Sequence, residues 1–370
     1  MQTRVHRLSM RHPGDLSVLE ALITAGRVQP ASVVAVIGKT EGNGGVNDFT
    51  RGYFTLALMS LLGRHLGVTP GAMARRVPCV LSGGTEGVLS PHYLVFCRSD
   101  GAATGTASPA GSLAVGVALS EPMPAEAIGR TAQIDAVADA VGRAMQHACI
   151  DDPEDVHFVQ VKSPCVTVER AREATARGCP PVSSDPNRSM AYARAAGAFG
   201  VAFALGEMDR ATATDESALL VDFTRWSARA SISSGVEVDC NEVIVLGNSR
   251  AWTGPLRIAH RSMADALDLA AVQAVAEDAG LPARPSLALA DVARVHGVLV
   301  KCEPDRRGLI RGQRHTMLDD TDINAQRHVR GALGGLVASV FGDGRIFVSG
   351  GAEHQGPDGG GLIAVIASAP

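Results

Sequence analysis

The sequence predicts an α/β protein made of three homologous β-α-β-α-β-β units around a pseudo-threefold axis, with the functional residues meeting at the centre. Three observations carry this. First, Ser349-Gly350-Gly351-Ala352-Glu353 recurs as Ser82-Gly83-Gly84-Thr85-Glu86 and, as a close variant, as Ser233-Ser234-Gly235-Val236-Glu237. Second, each copy is preceded in the same order by a lysine ending an apolar run and an arginine in a helical stretch. The sets are Lys39, Arg51 and Ser82; Lys162, Arg194 and Ser233; Lys301, Arg330 and Ser349. Third, residues 100–111, rich in Gly, Ala, Ser and Thr, and residues 247–254 lie between the sets and read as linkers. The units are therefore expected over 1–104, 112–250 and 255–370.

In the first unit a strand is expected over 4–8, then a helix over 16–25 with Gly26 just past its end. A strand over 32–37 runs into Gly38-Lys39, and a glycine-rich loop, 41–45, leads to a helix carrying Arg51. The strand over 77–81 delivers Ser82, with 93–97 expected as its hairpin partner. The second unit repeats this with a strand over 113–119 and a helix over 131–149, where Ile134, Val137, Val141 and Met145 recur at helical spacing. A strand over 156–161 ends in Lys162, a helix over 189–205 carries Arg194, a strand near Ala230 delivers Ser233, and 242–246 is its partner. The third unit has a strand over 255–258, a helix over 263–279 stopped by Gly280 and Pro282, and a strand over 295–300 ending in Lys301. A polar loop, 306–322, precedes the helix with Arg330; the strand over 346–348 leads to Ser349, with 362–366 as partner. Spacings within the sets differ, as loop insertions between fixed elements would produce.

Bulk composition narrows the function. In 370 residues, 46% are hydrophobic and 19% charged, which suits a compact chain with a large core. The net charge of -4, without runs of Lys or Arg, argues against nucleic acid as a partner. The N-terminus lacks the apolar segment of a secretory signal, and no apolar run approaches the roughly 18 residues that span a bilayer. The seven cysteines show no C-x-x-C pair or metal-ligand spacing; reduced thiols in a cytoplasmic protein are expected.

A lone lysine at a strand end is usually a solvated terminus, a lone helical arginine half an ion pair, and a lone Ser-Gly a turn. Three sets in one order go beyond these readings. A serine hydroxyl becomes a nucleophile when a base takes its proton. No histidine recurs in register, but a neutral lysine can serve, and like charges nearby lower its pKa. Backbone N–H groups beside each serine suit an oxyanion hole, and arginine forks suit carbonyl oxygens. A ring bearing several carbonyls, a cyclic imide or urea, would match such a site. Gly38-Lys39-Thr40 resembles the end of a phosphate-binding loop, but Val33 stands where that loop needs glycine, which excludes it. No Ser-x-x-Lys or Gly-x-Ser-x-Gly element appears, and His157, His296 and His354 read as strand or loop residues. Glu303, two residues after Lys301, together with the carbonyls of 352–360, would suit a hard cation or, equally, an ion pair.

Gly38-Lys39-Thr40-Glu41-Gly42-Asn43-Gly44-Gly45, Asn47-Asp48-Phe49-Thr50-Arg51, the three serine motifs and the run 349–361 closely resemble the cyanuric acid hydrolase and barbiturase family of ring-opening amidohydrolases, over essentially the whole length. The resemblance implies the pseudo-threefold fold with the active site at its centre. It also implies a Ser–Lys dyad in which Ser233 is the nucleophile and Lys162 its base. It places substrate contacts on Arg51, Ser82, Gly83, Arg194, Ile232, Ser233, Arg330, Ser349 and Gly350, with Lys39 and Lys301 as further site lysines and Gln326 as a specificity position. A structural divalent cation, Mg²⁺ or Ca²⁺, would fall on Glu303, Ala352, Gln355, Gly356, Pro357 and Gly360; no organic cofactor is implied. The family also implies a homotetramer. The substrate expected is cyanuric acid, whose three equivalent carbonyls match three similar Arg/Ser sets; the alternatives are barbituric acid, or a non-catalytic protein that binds cyclic imides.

Overall fold

The computed structural model describes residues 1–99 and 111–369, so most of the expected first linker lies outside the described residues. The first third of the chain gives β1 (Gln2–Ser9), α1 (Ser17–Thr24), β2 (Val33–Thr40), α2 (Phe49–Leu66), α3 (Pro70–Ala74), β3 (Cys79–Gly83) and β4 (His92–Ser99). The second gives β5 (Ser112–Leu119), α4 (Thr131–His147), β6 (Val156–Pro164), α5 (Val168–Ala176), α6 (Pro186–Ala204), α7 (Arg210–Ala213), β7 (Ala230–Gly235) and β8 (Glu242–Ser249). The last gives β9 (Leu256–Met263), α8 (Leu269–Asp278), α9 (Leu289–Val292), β10 (Val295–Cys302), β11 (Leu309–Ile310), β12 (Gln313–Arg314), α10 (Ala325–Phe341), β13 (Phe347–Ser349) and β14 (Gly361–Ser368).

Three four-stranded sheets share one topology, with orders β1-β4-β2-β3, β5-β8-β6-β7 and β9-β14-β10-β13. In each, the last strand of the unit sits antiparallel between the first two, and the serine-bearing strand lies parallel at the edge. This corrects the expected hairpins. Ser82, Ser233 and Ser349 lie on strands paired with the lysine strand, and the chain then crosses over that strand to reach the middle of the sheet. The reason is geometric: a parallel neighbour needs a long crossover, which the helix before each serine strand supplies.

Both faces of the sheets are covered, which is why the strands read as continuous apolar runs. On β4, Leu94 and Phe96 join a core shared by all three thirds, while Tyr93, Val95 and Cys97 pack under the helices of the first. On β14, Leu362, Ala364 and Ile366 enter the shared core, and Ile363, Val365 and Ala367 face the helices of the last. Strand alternation then aims the lysines. Lys39 lies on the same face as Ala35 and Ile37, and Lys301 on that of Leu299, so both point to the centre.

Two further expectations are corrected. Met263 closes β9 instead of opening a helix; α8 begins at Leu269, where the Asp268 carboxylate accepts from Ala271 N at 3.0 Å. The expected second linker is packed: β8 runs through Ser249, and Trp252 is fully buried, donating from Nε1 to Ala148 O at 2.6 Å. The loop over 306–322 carries the small β11–β12 hairpin. All seven cysteines are free; Cys149 and Cys179 are exposed and the other five buried. Among the described residues no helix is long and apolar enough to cross a membrane.

Candidate active site

In each of the three four-stranded sheets the lysine and the serine are register partners on neighbouring parallel strands: Lys39 with Ser82, Lys162 with Ser233, Lys301 with Ser349. Parallel partners project their side chains to the same face, so the in-order residues of the sequence become adjacent pairs. The arginines come from helices fixed by side-chain caps. Asp48 accepts from Thr50 N at 3.0 Å to start α2, Asp185 from Asn187 N at 2.9 Å to start α6, and Asn324 from Gln326 N at 3.0 Å to start α10.

One small cavity at the centre collects the three arginines, the three serines and one of the three lysines. It is lined by Arg51, Ser82, Gly83, Lys162, Arg194, Ser233, Arg330, Ser349 and Gly350, with Gly44, Leu81, Met190 and Ser234, which the sequence reading did not single out. A vestibule shares Gly44, Met190, Arg194, Arg330 and Gly350 with it and adds Gln326, whose Oε1 accepts from Gly351 N at 2.7 Å. Ile232 does not line the cavity. Its N–H donates to Gln355 Oε1 at 2.6 Å and its carbonyl accepts from Lys301 at 2.6 Å, so its backbone is committed to the neighbouring third.

The three lysines are not equivalent. Lys39 donates to Ser82 Oγ at 3.1 Å and Gly83 O at 3.2 Å, and Lys301 to Ser349 Oγ at 3.0 Å and Gly350 O at 2.9 Å. Both are buried behind their serines and off the cavity wall. Lys162 does line the cavity and forms an ion pair with Glu237 Oε1 at 2.7 Å, and both Lys162 Nζ and Ser233 Oγ are buried with no hydrogen-bond partner among the described residues. No Lys162–Ser233 hydrogen bond is present, so the middle pair is in register but not yet joined. All three ammonium groups have lowered pKa values, Lys301 to about 7. The largest cause in each is burial; a neighbouring arginine adds to it in each case, and a glutamate opposes. Like-charge pressure is thus the smaller part of an effect expected to rest on it.

The residues that sequence reasoning missed are the glutamates closing each serine motif. Glu86 accepts from Arg330 Nε at 2.9 Å and Nη2 at 2.6 Å, and Glu353 from Arg194 Nε and Nη2, both at 2.6 Å. Glu237 accepts from Arg51 Nε at 2.7 Å. Every pair joins two thirds of the chain: first to last, last to second, second to first. The ring of three closes on itself. The motif's glycine follows from this, because a Cβ at Gly351 would stand 2.6 Å from Arg194 Nε, and one at Gly84 would meet Arg330 Nη2 at 2.8 Å and the Glu86 carboxylate. The forks on Arg194 and Arg330 each take two of a guanidinium's five N–H donors, leaving three for a ligand, while Arg51 gives Nε to Glu237 and Nη2 to Gly45 O at 3.0 Å.

The implied cation site has one observation in its favour. Glu303 is buried, and its Oε2 has no hydrogen-bond partner among the described residues, beside a loop rich in backbone carbonyls. The Gln355 side chain is turned inward to Ile232 N, Gly351 O and Glu353 O, so it offers that loop only its backbone carbonyl. The Arg306 guanidinium pairs with Glu303 Oε1 and stacks 3.8 Å over Phe223. No group of three or more His, Cys, Asp or Glu that could hold a metal ion is found among the described residues; the Glu303 carboxylate with backbone carbonyls is an all-oxygen donor set of the kind a hard cation takes.

A family model for the ring-opening amidohydrolases, described as "Amidohydrolase ring-opening protein", matches residues 4–368. A cyanuric acid amidohydrolase of Azorhizobium caulinodans is 50% identical over 365 residues, covering 99% of this chain and 98% of that protein. One from Pseudomonas sp. strain ADP is 48% identical over 366 residues, covering 99% of each. The crystal structure of the cyanuric acid hydrolase from A. caulinodans superposes with a TM-score of 0.90 at 47% identity, covering 100% of this chain and 99% of that one. A cyclic amide hydrolase of A. caulinodans is also similar, 44% identical over 369 residues, covering 100% of both chains.

Proposed function

Because the chain belongs to the family of ring-opening amidohydrolases, we propose that it hydrolyses an endocyclic C–N bond of cyanuric acid, opening the triazine ring to carboxybiuret, which loses CO₂ to give biuret. The observation that carries this is the central cavity lined by three arginines and three serines from equivalent positions of three sheets. A ring with three equivalent carbonyls presents the same pattern to each.

Ser233 is the nucleophile in this reading and Lys162 its base. The support is the asymmetry of the middle pair: a serine hydroxyl with no partner and the one lysine on the cavity wall among the described residues. Lys39 and Lys301 are engaged with Ser82 and Ser349, which leaves those pairs to bind and polarise the other two carbonyls. Ser233 Oγ attacks a ring carbonyl as its proton passes to Lys162. The same proton goes to the ring nitrogen as the C–N bond breaks, and water then cleaves the ester. Arg51, Arg194 and Arg330, braced by their glutamates, hold the ring still with donors already aligned. Glu303 and the backbone carbonyls of Ala352, Gln355, Gly356, Pro357 and Gly360 would hold a divalent cation, whose contribution is to stiffen the loop after Ser349. Gln326, in the vestibule beside Gly350, breaks the threefold symmetry and is the residue proposed to read one ring edge.

The test is turnover of the purified protein on cyanuric acid and barbituric acid in parallel, following loss of ring absorbance. Cleavage of cyanuric acid is expected, with barbituric acid untouched. Cleavage of barbituric acid alone would move the substrate to the runner-up, and tight binding of either without turnover would leave only a cyclic-imide binder.

A further inference from the structure

The repeat makes Glu86, Glu237 and Glu353 equivalent in sequence, yet one behaves differently. Glu86 and Glu353 each spread both carboxylate oxygens over one arginine fork, Glu86 accepting from Arg327 Nε at 3.2 Å as well, while their lysines sit on serine hydroxyls and not on the carboxylate. Glu237 Oε1 accepts a hydrogen bond from Arg51 Nε at 2.7 Å and forms an ion pair with Lys162 Nζ, also at 2.7 Å, although Nζ makes no hydrogen bond of its own among the described residues. Its side chain is also the most exposed of the three, 21% against 9% and 7%. Glu237 lines a cavity of about 270 Å³ between the first and second thirds, together with Arg51, Leu81 and Glu242, and with Glu242 it also lines the neighbouring surface pocket. Arg51 and Leu81 line the central cavity as well, so the Arg51–Glu237–Lys162 cluster stands between the two.

We propose that Glu237 is the positioning residue of Lys162: it holds the ammonium that forms when Ser233 gives up its proton, and so sets the pH range in which the lysine acts as a base. The inference rests on the reading of Ser233 and Lys162 given above. The proton balance requires such a partner. Lys162 takes the Ser233 proton as the Oγ–C bond forms and gives it to the ring nitrogen as the C–N bond breaks. It then takes a proton from water and returns it to Oγ as the ester opens. In both halves a buried ammonium exists transiently, and a carboxylate 2.7 Å away is its counter-ion. Ser82 and Ser349 have no such demand, because their lysines donate hydrogen bonds without changing partner.

The groups facing Lys162 from each packed element are few. Arg51 from α2 disfavours the ammonium and Glu237 favours it; Arg194 from α6 and Arg330 from α10 line the same cavity. Cys165 and Cys79 have thiols pushed up by burial to about 11 and about 12, so they stay neutral. Glu242 on β8 is the register partner of Lys162 and accepts from Cys79 N at 3.2 Å; burial pushes its carboxyl up to about 7, which makes it the competing candidate and the necessary control.

Two titrations decide the matter, one with turnover and one without. The first is the pH profile of kcat/KM on cyanuric acid for the wild type, Glu237→Gln, Glu86→Gln and Glu242→Gln. The second is the pH dependence of carbamylation of Lys162 by cyanate, read by mass spectrometry of its peptide, which needs no substrate turnover. A carboxylate lost beside Lys162 lets the ammonium deprotonate at lower pH. Glu237→Gln is therefore expected to move the acidic limb and the carbamylation midpoint down by roughly 1 to 3 pH units. Glu86→Gln and Glu242→Gln are expected to leave both in place, the former weakening affinity only. Glu237→Asp keeps the charge and is expected to return the midpoint to the wild-type position, which also guards against a folding defect in the amide variant. An unmoved midpoint in Glu237→Gln, an equal shift in Glu86→Gln, or a shift in Glu242→Gln alone would overturn the proposal. A wild type that opens no ring would count against the proposed function, while the cyanate titration would still decide the role of Glu237.

Discussion

Replacing Ser233 by alanine is expected to lower kcat by about 10³- to 10⁶-fold, since removing the nucleophile of a concerted set costs nearly as much as removing the set. Affinity for cyanuric acid should stay within several-fold of the wild type, because the arginine forks and two other serines remain. Ser82→Ala and Ser349→Ala should behave in the opposite sense, weakening binding and retaining measurable turnover. The comparison is discriminating because Ser349 has the lysine hydrogen bond that Ser233 lacks. Loss of turnover in Ser349→Ala with an active Ser233→Ala would move the chemistry to the Lys301 pair.

The second large effect is on stability. Arg194 and Glu353 form a two-bond fork joining the second and last thirds, with Glu353 only 5% exposed. Arg194→Met would leave that carboxylate buried without its counter-charge, at a cost of about 3–5 kcal/mol. Adding Glu353→Gln removes the stranded charge, so the double variant should recover most of the loss in denaturant unfolding. Both should fail to bind substrate, because one fork is gone. If the double variant is as unstable as the sum of the two single changes, the pair is not coupled and the ring of ion pairs does not hold the thirds together.

How much of this was legible in the sequence follows from what kind of distance separates the partners. Lys39, Lys162 and Lys301 could be matched to their serines because each pair lies within one unit, at fixed positions on adjacent strands. The serine motif's last residue was visible three times, yet its partner was not. Arg51 lies 186 residues from Glu237, Arg194 159 from Glu353, and Arg330 244 from Glu86, so no spacing within a unit reports the contact. The strand pairing is hidden for a related reason: two apolar runs joined by glycines look like neighbours, and nothing local says that a third strand lies between them. The middle set's difference showed only faintly, as Ser233-Ser234 in place of Ser-Gly. Its physical form, a lysine turned to a carboxylate and a free hydroxyl, needed the three thirds brought together.

The central claim is that the ring opens on Ser233. The most direct test is rapid acid quench of the enzyme with saturating cyanuric acid, followed by peptide mass spectrometry. Attack by Oγ breaks the C–N bond but leaves the departing nitrogen tethered, so the acyl-enzyme should gain the mass of one whole substrate molecule. That increment is expected on the peptide holding Ser233 and absent from those holding Ser82 and Ser349. An increment on either of the other two serines, or none at all under conditions of steady turnover, would contradict the account.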